Sequence, residues 1–161
     1  MVVEPQIQRR ILASSGFADL GLYQEAVDEL EEIPEQAKDS LPVLAAWLEV
    51  YQSWQKWGEA LAVADRLTQK DPEDPSWFVA LAYATRRARG LLSAREILQE
   101  AAEKFPRCAV IHFNLGCYAA QLGELEPARR YLAAAIGLDR SFAELAKSDP
   151  DLEPLRSARL G

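Results

Sequence analysis

Apolar and small residues recur along this chain at helical spacing, and the helical stretches themselves recur at a longer interval. Ala26, Ala60, Ala94 and Ala128 stand 34 residues apart. Leu30, Ala64, Leu98 and Leu132 follow them by four positions, and Tyr23, Trp57, Leu91 and Leu125 precede them by three, all in register. Upstream of the last three alanines run Leu44, Trp47, Leu48 and Tyr51, then Phe78, Leu81 and Ala82, then Leu115, Gly116 and Ala119. Apolar positions three and four apart line one face of a helix, so each period holds two amphipathic helices. The pattern predicts helices over 4–18, 23–36, 41–54, 58–70, 75–88, 92–104, 109–121 and 125–137, and no strands. Pro42 and Pro75 fall in first turns, where proline is tolerated, and Asp74 is placed as an N-cap. Gly90 and Gly123 fall between paired helices, where a left-handed residue ends a helix cheaply.

The period stops after residue 140. Phe142 and Leu145 make a short amphipathic stretch suited to covering the open end of the last helix pair. Pro150 and Pro154 interrupt the remaining residues too often for a further repeat. The tail from Asp149 to Leu160 is a candidate to fold back onto the inner surface through Leu152 and Leu155.

These units resemble tetratricopeptide repeats, whose 34-residue helix-turn-helix pattern reads W-x-x-L-G-x-x-Y, then A-x-x-x-F, then P. Residues 109–142 match best, with Leu115, Gly116, Gly123, Ala128 and Leu132. Residues 41–74 supply Leu44, Trp47, Tyr51, Ala60 and Pro72, and residues 75–108 supply Phe78, Leu81, Ala82, Ala94, Leu98 and Pro106. Residues 7–40 keep Phe17, Ala26 and Leu30 but place Arg10 and Ser14 in otherwise apolar or tightly packed columns. The resemblance spans about residues 7–142. It implies an all-α, right-handed α-solenoid of antiparallel helix pairs with a C-terminal capping helix, a single domain over 1–161 with 143–161 as cap and tail.

Composition narrows the function. The chain has 161 residues, 49% hydrophobic and 27% charged, which is globular composition. With 18 basic and 25 acidic residues the net charge is −7, which argues against broad attraction to nucleic acid or an anionic membrane. Residues 1–20 carry Glu4, Arg9, Arg10 and Asp19 and lack the apolar run of a signal peptide or membrane span, so a cytoplasmic location is expected. One histidine, His112, and two cysteines, Cys108 and Cys117, supply neither a typical zinc site nor a disulfide framework. No phosphate-binding loop, nucleophile elbow or metalloprotease motif occurs. No catalytic residue, cofactor or metal is therefore expected. His112 falls in the packed column of Leu44 and Phe78 and reads as structural.

In such a solenoid the first helix of each pair lines the inner surface. That places Gln8, Ile11 and Ser15, then Ala45, Glu49 and Gln52, then Ser76, Val79, Tyr83, Arg86 and Arg87, then Val110, Phe113, Asn114, Cys117 and Gln121 along it. Apolar groups with a few polar hooks suit a peptide or helix of a protein partner, with Tyr83 and Phe113 as anchors and Arg86 or Arg87 for a carboxylate. Family members that clamp a chaperone's C-terminal carboxylate use lysine, asparagine and arginine. Here Ile11, Ser15, Ala46, Ser76 and Ala80 stand in those columns, so that binding mode is not carried over. Two alternatives remain open: a dedicated chaperone for a bacterial secreted protein, and an enzyme using Cys117. The free chain is expected as a monomer or weak homo-oligomer.

Overall fold

The computed structural model describes residues 3–158, which among themselves form ten α-helices and two 3-10 turns and no strand. The helices are α1 (Pro5–Asp19), α2 (Tyr23–Glu31), α3 (Leu41–Ser53), α4 (Trp57–Lys70), α5 (Pro75–Arg89), α6 (Leu91–Lys104), α7 (Ala109–Gln121), α8 (Leu125–Leu138), α9 (Phe142–Ser148) and α10 (Glu153–Ala158). One 3-10 turn, Glu35–Ala37, precedes α3 and the other, Pro150–Leu152, precedes α10. The chain clusters into two compact units, Met1–Ala88 and Arg89–Gly161, with the boundary at the end of α5. The third 34-residue period thus gives α5 to the first unit and α6 to the second.

Seven of the eight repeat helices lie within two residues of their expected bounds. The exception is α2, expected to reach residue 36 and ending at Glu31. Pro34 explains it: proline offers no amide to the carbonyl four residues back and disfavours helical backbone at Ile33. The chain turns instead, burying Ile33 at 2% exposure.

In the first unit α1 packs on α2 and α3, and α3 on α2 and α4. Ala26, Val27, Leu30, Val43, Ala46 and Val50 form the centre of its core, with Phe17, Tyr23, Trp47 and Trp54 packed around them. Ala60 and Ala94 are fully buried, as are Ala26 and Ala128. Asp74 caps α5 as expected, its carboxylate accepting from the Ser76 amide (2.9 Å) and hydroxyl (2.7 Å). In the second unit α7 packs on α6 and, most extensively, on α8. Gly116 is a point of close approach there, since a Cβ on it would lie 3.4 Å from the Ala128 carbonyl oxygen and the Leu132 amide nitrogen.

The turns inside the pairs also repeat. Gly21, Gln55 and Gly123 sit 34 or 68 residues apart with φ of 74°, 59° and 79°. At each the next amide closes back onto the helix, as Lys56 N–H does onto the Tyr51 carbonyl at 2.8 Å. Gln55 is the non-glycine residue in that left-handed conformation, which strains an L side chain. Ahead of α3, Asp39 accepts hydrogen bonds from Arg66 and from Lys70 (2.6 Å) of α4. Those two cations hold the Asp39 carboxyl at about 2, below its ordinary 3.8.

Gln55→Gly is expected to raise unfolding free energy by about 0.5–1 kcal/mol, read from urea denaturation. Because the folded pKa of Asp39 is depressed, its stabilisation is complete above pH 3.8, declines below that value, and is gone once pH falls through about 2. A comparison of melting temperature against pH should therefore show Asp39→Asn less stable than the parent at pH 7, with the gap closing over that window. The gap should also narrow in high salt, since the group is exposed.

Candidate binding surface

The residues expected to line an inner surface divide by unit, and the two sets meet different fates. In the first unit they come from α1, α3 and α5, with the candidate contact residues on α3 and α5. Glu49 is exposed and accepts from the Ser15 hydroxyl at 2.7 Å, tying α3 to α1. Gln52, Val79 and Arg86 are half-buried, while Arg87 is exposed. Tyr83 is 45% exposed, an unusual degree for a large aromatic in the middle of a helix.

Tyr83 and Arg87 stand one turn apart on α5, so they share a face. Both meet Trp57, the first residue of α4. The Tyr83 ring lies edge-on to the indole, with centroids 5.4 Å apart and planes at 79°. The Arg87 guanidinium sits over the same indole at 5.1 Å. An edge-to-face ring pair and a cation on an aromatic face each hold a side chain in place without a hydrogen bond. Both groups therefore keep their polar atoms available while their rotamers are restrained. The place of Trp57 in the in-register column three positions before Ala60 gives no hint of this contact. The usable signal was the i, i+4 spacing of Tyr83 and Arg87 on a helix that follows a tryptophan-led one.

In the second unit the expected residues lie on α7, and the chain itself covers two of them and hydrogen-bonds a third, which stays exposed. Phe113, expected as an exposed anchor, is 5% exposed with its ring 4.9 Å from Phe142 of α9. Cys117 is 2% exposed, its thiol 3.9 Å from an Asp149 carboxylate oxygen. The Gln121 amide donates to the Asp151 carbonyl at 2.9 Å. Asn114 is half-buried. The anticipated fold-back is thus present as far as the described residues extend: Leu152 is 1% and Leu155 6% exposed, and α10 packs on both α7 and α8. Residues 159–161, which include Leu160, lie outside the described residues. Arg156 locks the segment, donating to the carbonyls of Ala146 and Asp149, each at 2.9 Å.

Cys117, Asp149 and Asp151 bring three potential ligand atoms within 4.8 Å of one another. The other Asp149 oxygen already accepts from the Asp151 amide at 2.9 Å, which makes this cluster the polar seam fixing the segment to α7. His112 is held by its Nε2–H, which donates to the Pro106 carbonyl at 2.7 Å, an arrangement that anchors the start of α7. Among the described residues no helix is long and apolar enough to cross a membrane.

Several solved structures share this fold. The thermophilic TPR protein TTC0263 of Thermus thermophilus is 22% identical over 92% of this chain and 85% of its own, with a TM-score of 0.66. MamA from Desulfovibrio magneticus RS-1, residues 41 to the end, is 20% identical over 86% of this chain and 78% of its own, at 0.70. MamA AMB-1 is 17% identical over 98% of this chain and 92% of its own, at 0.63. No family model and no curated protein matches the chain. At these identities the likeness establishes the fold, an all-α helical repeat of the tetratricopeptide kind.

Phe142→Ala removes the half-buried ring that lies against buried Phe113 and should loosen the segment over α7. Amide hydrogen exchange is expected to speed up across α9 and α10 while α1–α4 stay unchanged. Leu152→Ala should cost about 2–5 kcal/mol by urea denaturation of the second unit, the usual loss for a fully buried leucine.

Proposed function

We propose that this chain is a non-enzymatic protein-interaction module and that it takes a partner segment on the first unit, around Tyr83, Trp57 and Arg87. The observation that carries the reading is the restrained, exposed pair of Tyr83 and Arg87 braced on one indole. Exposed aromatics and arginines held in place before binding lose little side-chain entropy on association, which is why they dominate interface energetics. Tyr83 offers an apolar ring face with a hydroxyl at its rim. Arg87 offers donors in a planar fork suited to a carboxylate. Glu49 and Gln52 on α3 supply polar contacts at the edge of the same unit. The segment this chemistry fits is a short peptide or helix bearing an apolar or aromatic residue within a few positions of an aspartate, a glutamate or a C-terminal carboxylate.

The repeat fold supports the reading at a general level, since stacked helix pairs present extended surfaces. The buried state of Phe113 shifts the weight of the proposal from a pair of anchors to Tyr83 alone with its arginine.

A partner isolated on the immobilised chain and then purified gives the test. Tyr83→Ala with Arg87→Ala should weaken its affinity by at least about tenfold, the scale of a central hot spot, with the circular dichroism spectrum unchanged. Retained affinity in the folded double variant would refute this surface. Phe113→Ala serves as the contrast, since it should lower the melting temperature by opening the contact with Phe142.

A further inference from the structure

The second unit contains a space that its own cap does not fill. On α8, Arg129, Leu132, Ala133 and Ile136 fall at i, i+3, i+4 and i+7, one face of the helix. Opposite stand Ala146 and Lys147 of α9 with Leu152, Leu155 and Arg156 from the turn and α10. Between these walls lies a cleft of about 500 Å³, open to solvent along one side. Its origin is simple. The cap helices have only seven and six residues, and alanines stand at 133, 143 and 146 where larger side chains would close the gap.

The lining has a polarity of its own. Seven of its ten residues are apolar and the other three are Arg129, Lys147 and Arg156, with no acidic group, in a chain of net charge −7. Arg156 is committed to the cap, donating to the Ala146 and Asp149 carbonyls and to Glu153. Arg129 and Lys147 differ. Their partners are Glu126 and Glu144, one turn back on the same helices and 73% and 78% exposed. Exposed pairs of that kind contribute little to stability and yield readily to a better-placed anion.

We propose that this cleft is a binding site for one medium-chain fatty acid. The hydrocarbon chain lies between α8 and the cap against the accessible side chains of Leu132, Ala133, Ile136, Ala143 and Ala146, with Leu152 and Leu155 as the buried floor beneath them, and the carboxylate sits at Arg129 and Lys147. Apolar lining favours burial of the chain, and the volume falls within the range of small-molecule sites. The cations select the head group: a carboxylate gains charge-assisted hydrogen bonds from them, whereas a cationic head is repelled. The site is independent of the surface around Tyr83, so either reading can fail without the other.

Titration calorimetry of the full chain with sodium decanoate, kept below its micelle concentration, tests the proposal. Saturable binding at a single site is expected. Ala133→Trp, at an exposed lip of the cleft, and Ala146→Leu, on the facing wall, should each weaken binding by about tenfold or more while the melting temperature holds or rises. Arg129→Glu with Lys147→Glu should weaken it by a similar factor, and decyltrimethylammonium should bind the parent chain about tenfold more weakly than decanoate. Non-saturable heats, equal affinity for the two head groups, or full affinity in both folded cleft-filling variants would overturn the proposal.

Discussion

The close approach of paired helices at small residues governs the rest of this structure. Ala26, Ala60, Ala94 and Ala128 have no exposed surface, and at Gly116 a single added carbon would touch the backbone of α8. Interiors are packed like crystals, so a spine this tight leaves no volume for large side chains along it. Aromatic groups are displaced to the flanks. Trp57 is the instructive case: it stands three residues before Ala60, half-buried at the start of α4, and its indole remains accessible to both Tyr83 and Arg87. The packing rule that builds the pair thus also creates the platform that orients the candidate binding residues.

The two units resolve the same problem, an exposed first-helix face, in opposite ways. On α7 the face carries Phe113 and Cys117, and the chain's own segment from Phe142 to Leu155 buries it, with ring contact, leucine insertion and the hydrogen bond from the Gln121 side chain to the Asp151 carbonyl acting together. On α5 the face carries Tyr83 and Arg87, whose polar atoms tolerate water, and it stays exposed. Side-chain chemistry explains the difference: an uncovered phenylalanine gives up burial worth about 2–3 kcal/mol, whereas tyrosine and arginine keep a solvated tip.

Much of the fold was legible in the sequence because a repeat reports each structural rule several times. The alanine column, Pro42, Pro75 and Asp74 placed helices that the structure contains, and the glycines at 90 and 123 do adopt left-handed backbone. What escaped was local or dependent on distant residues. Pro34 carried the signal that shortens α2, but a strict 34-residue period overrode it. Gln55 occupies the turn position of Gly21 and Gly123, yet nothing in glutamine itself announces positive φ. The face of α7 looked like an open groove because helical spacing identifies which residues share a side, and does not reveal what comes to lie against it. The prolines at 150 and 154 ruled out another repeat correctly, and they did not prevent a 3-10 turn and a short helix from delivering Leu152 and Leu155 to the core.

The central claim is that one first-helix face is closed by the chain itself and another is held open and ordered. Hydroxyl-radical footprinting of the native protein, read by mass spectrometry residue by residue, measures this directly. Rapid oxidation of Tyr83, with Phe113 and Cys117 protected until denaturant is added, is the predicted result. Oxidation of Phe113 and Cys117 in the native chain, at rates near those in the unfolded chain, would contradict it.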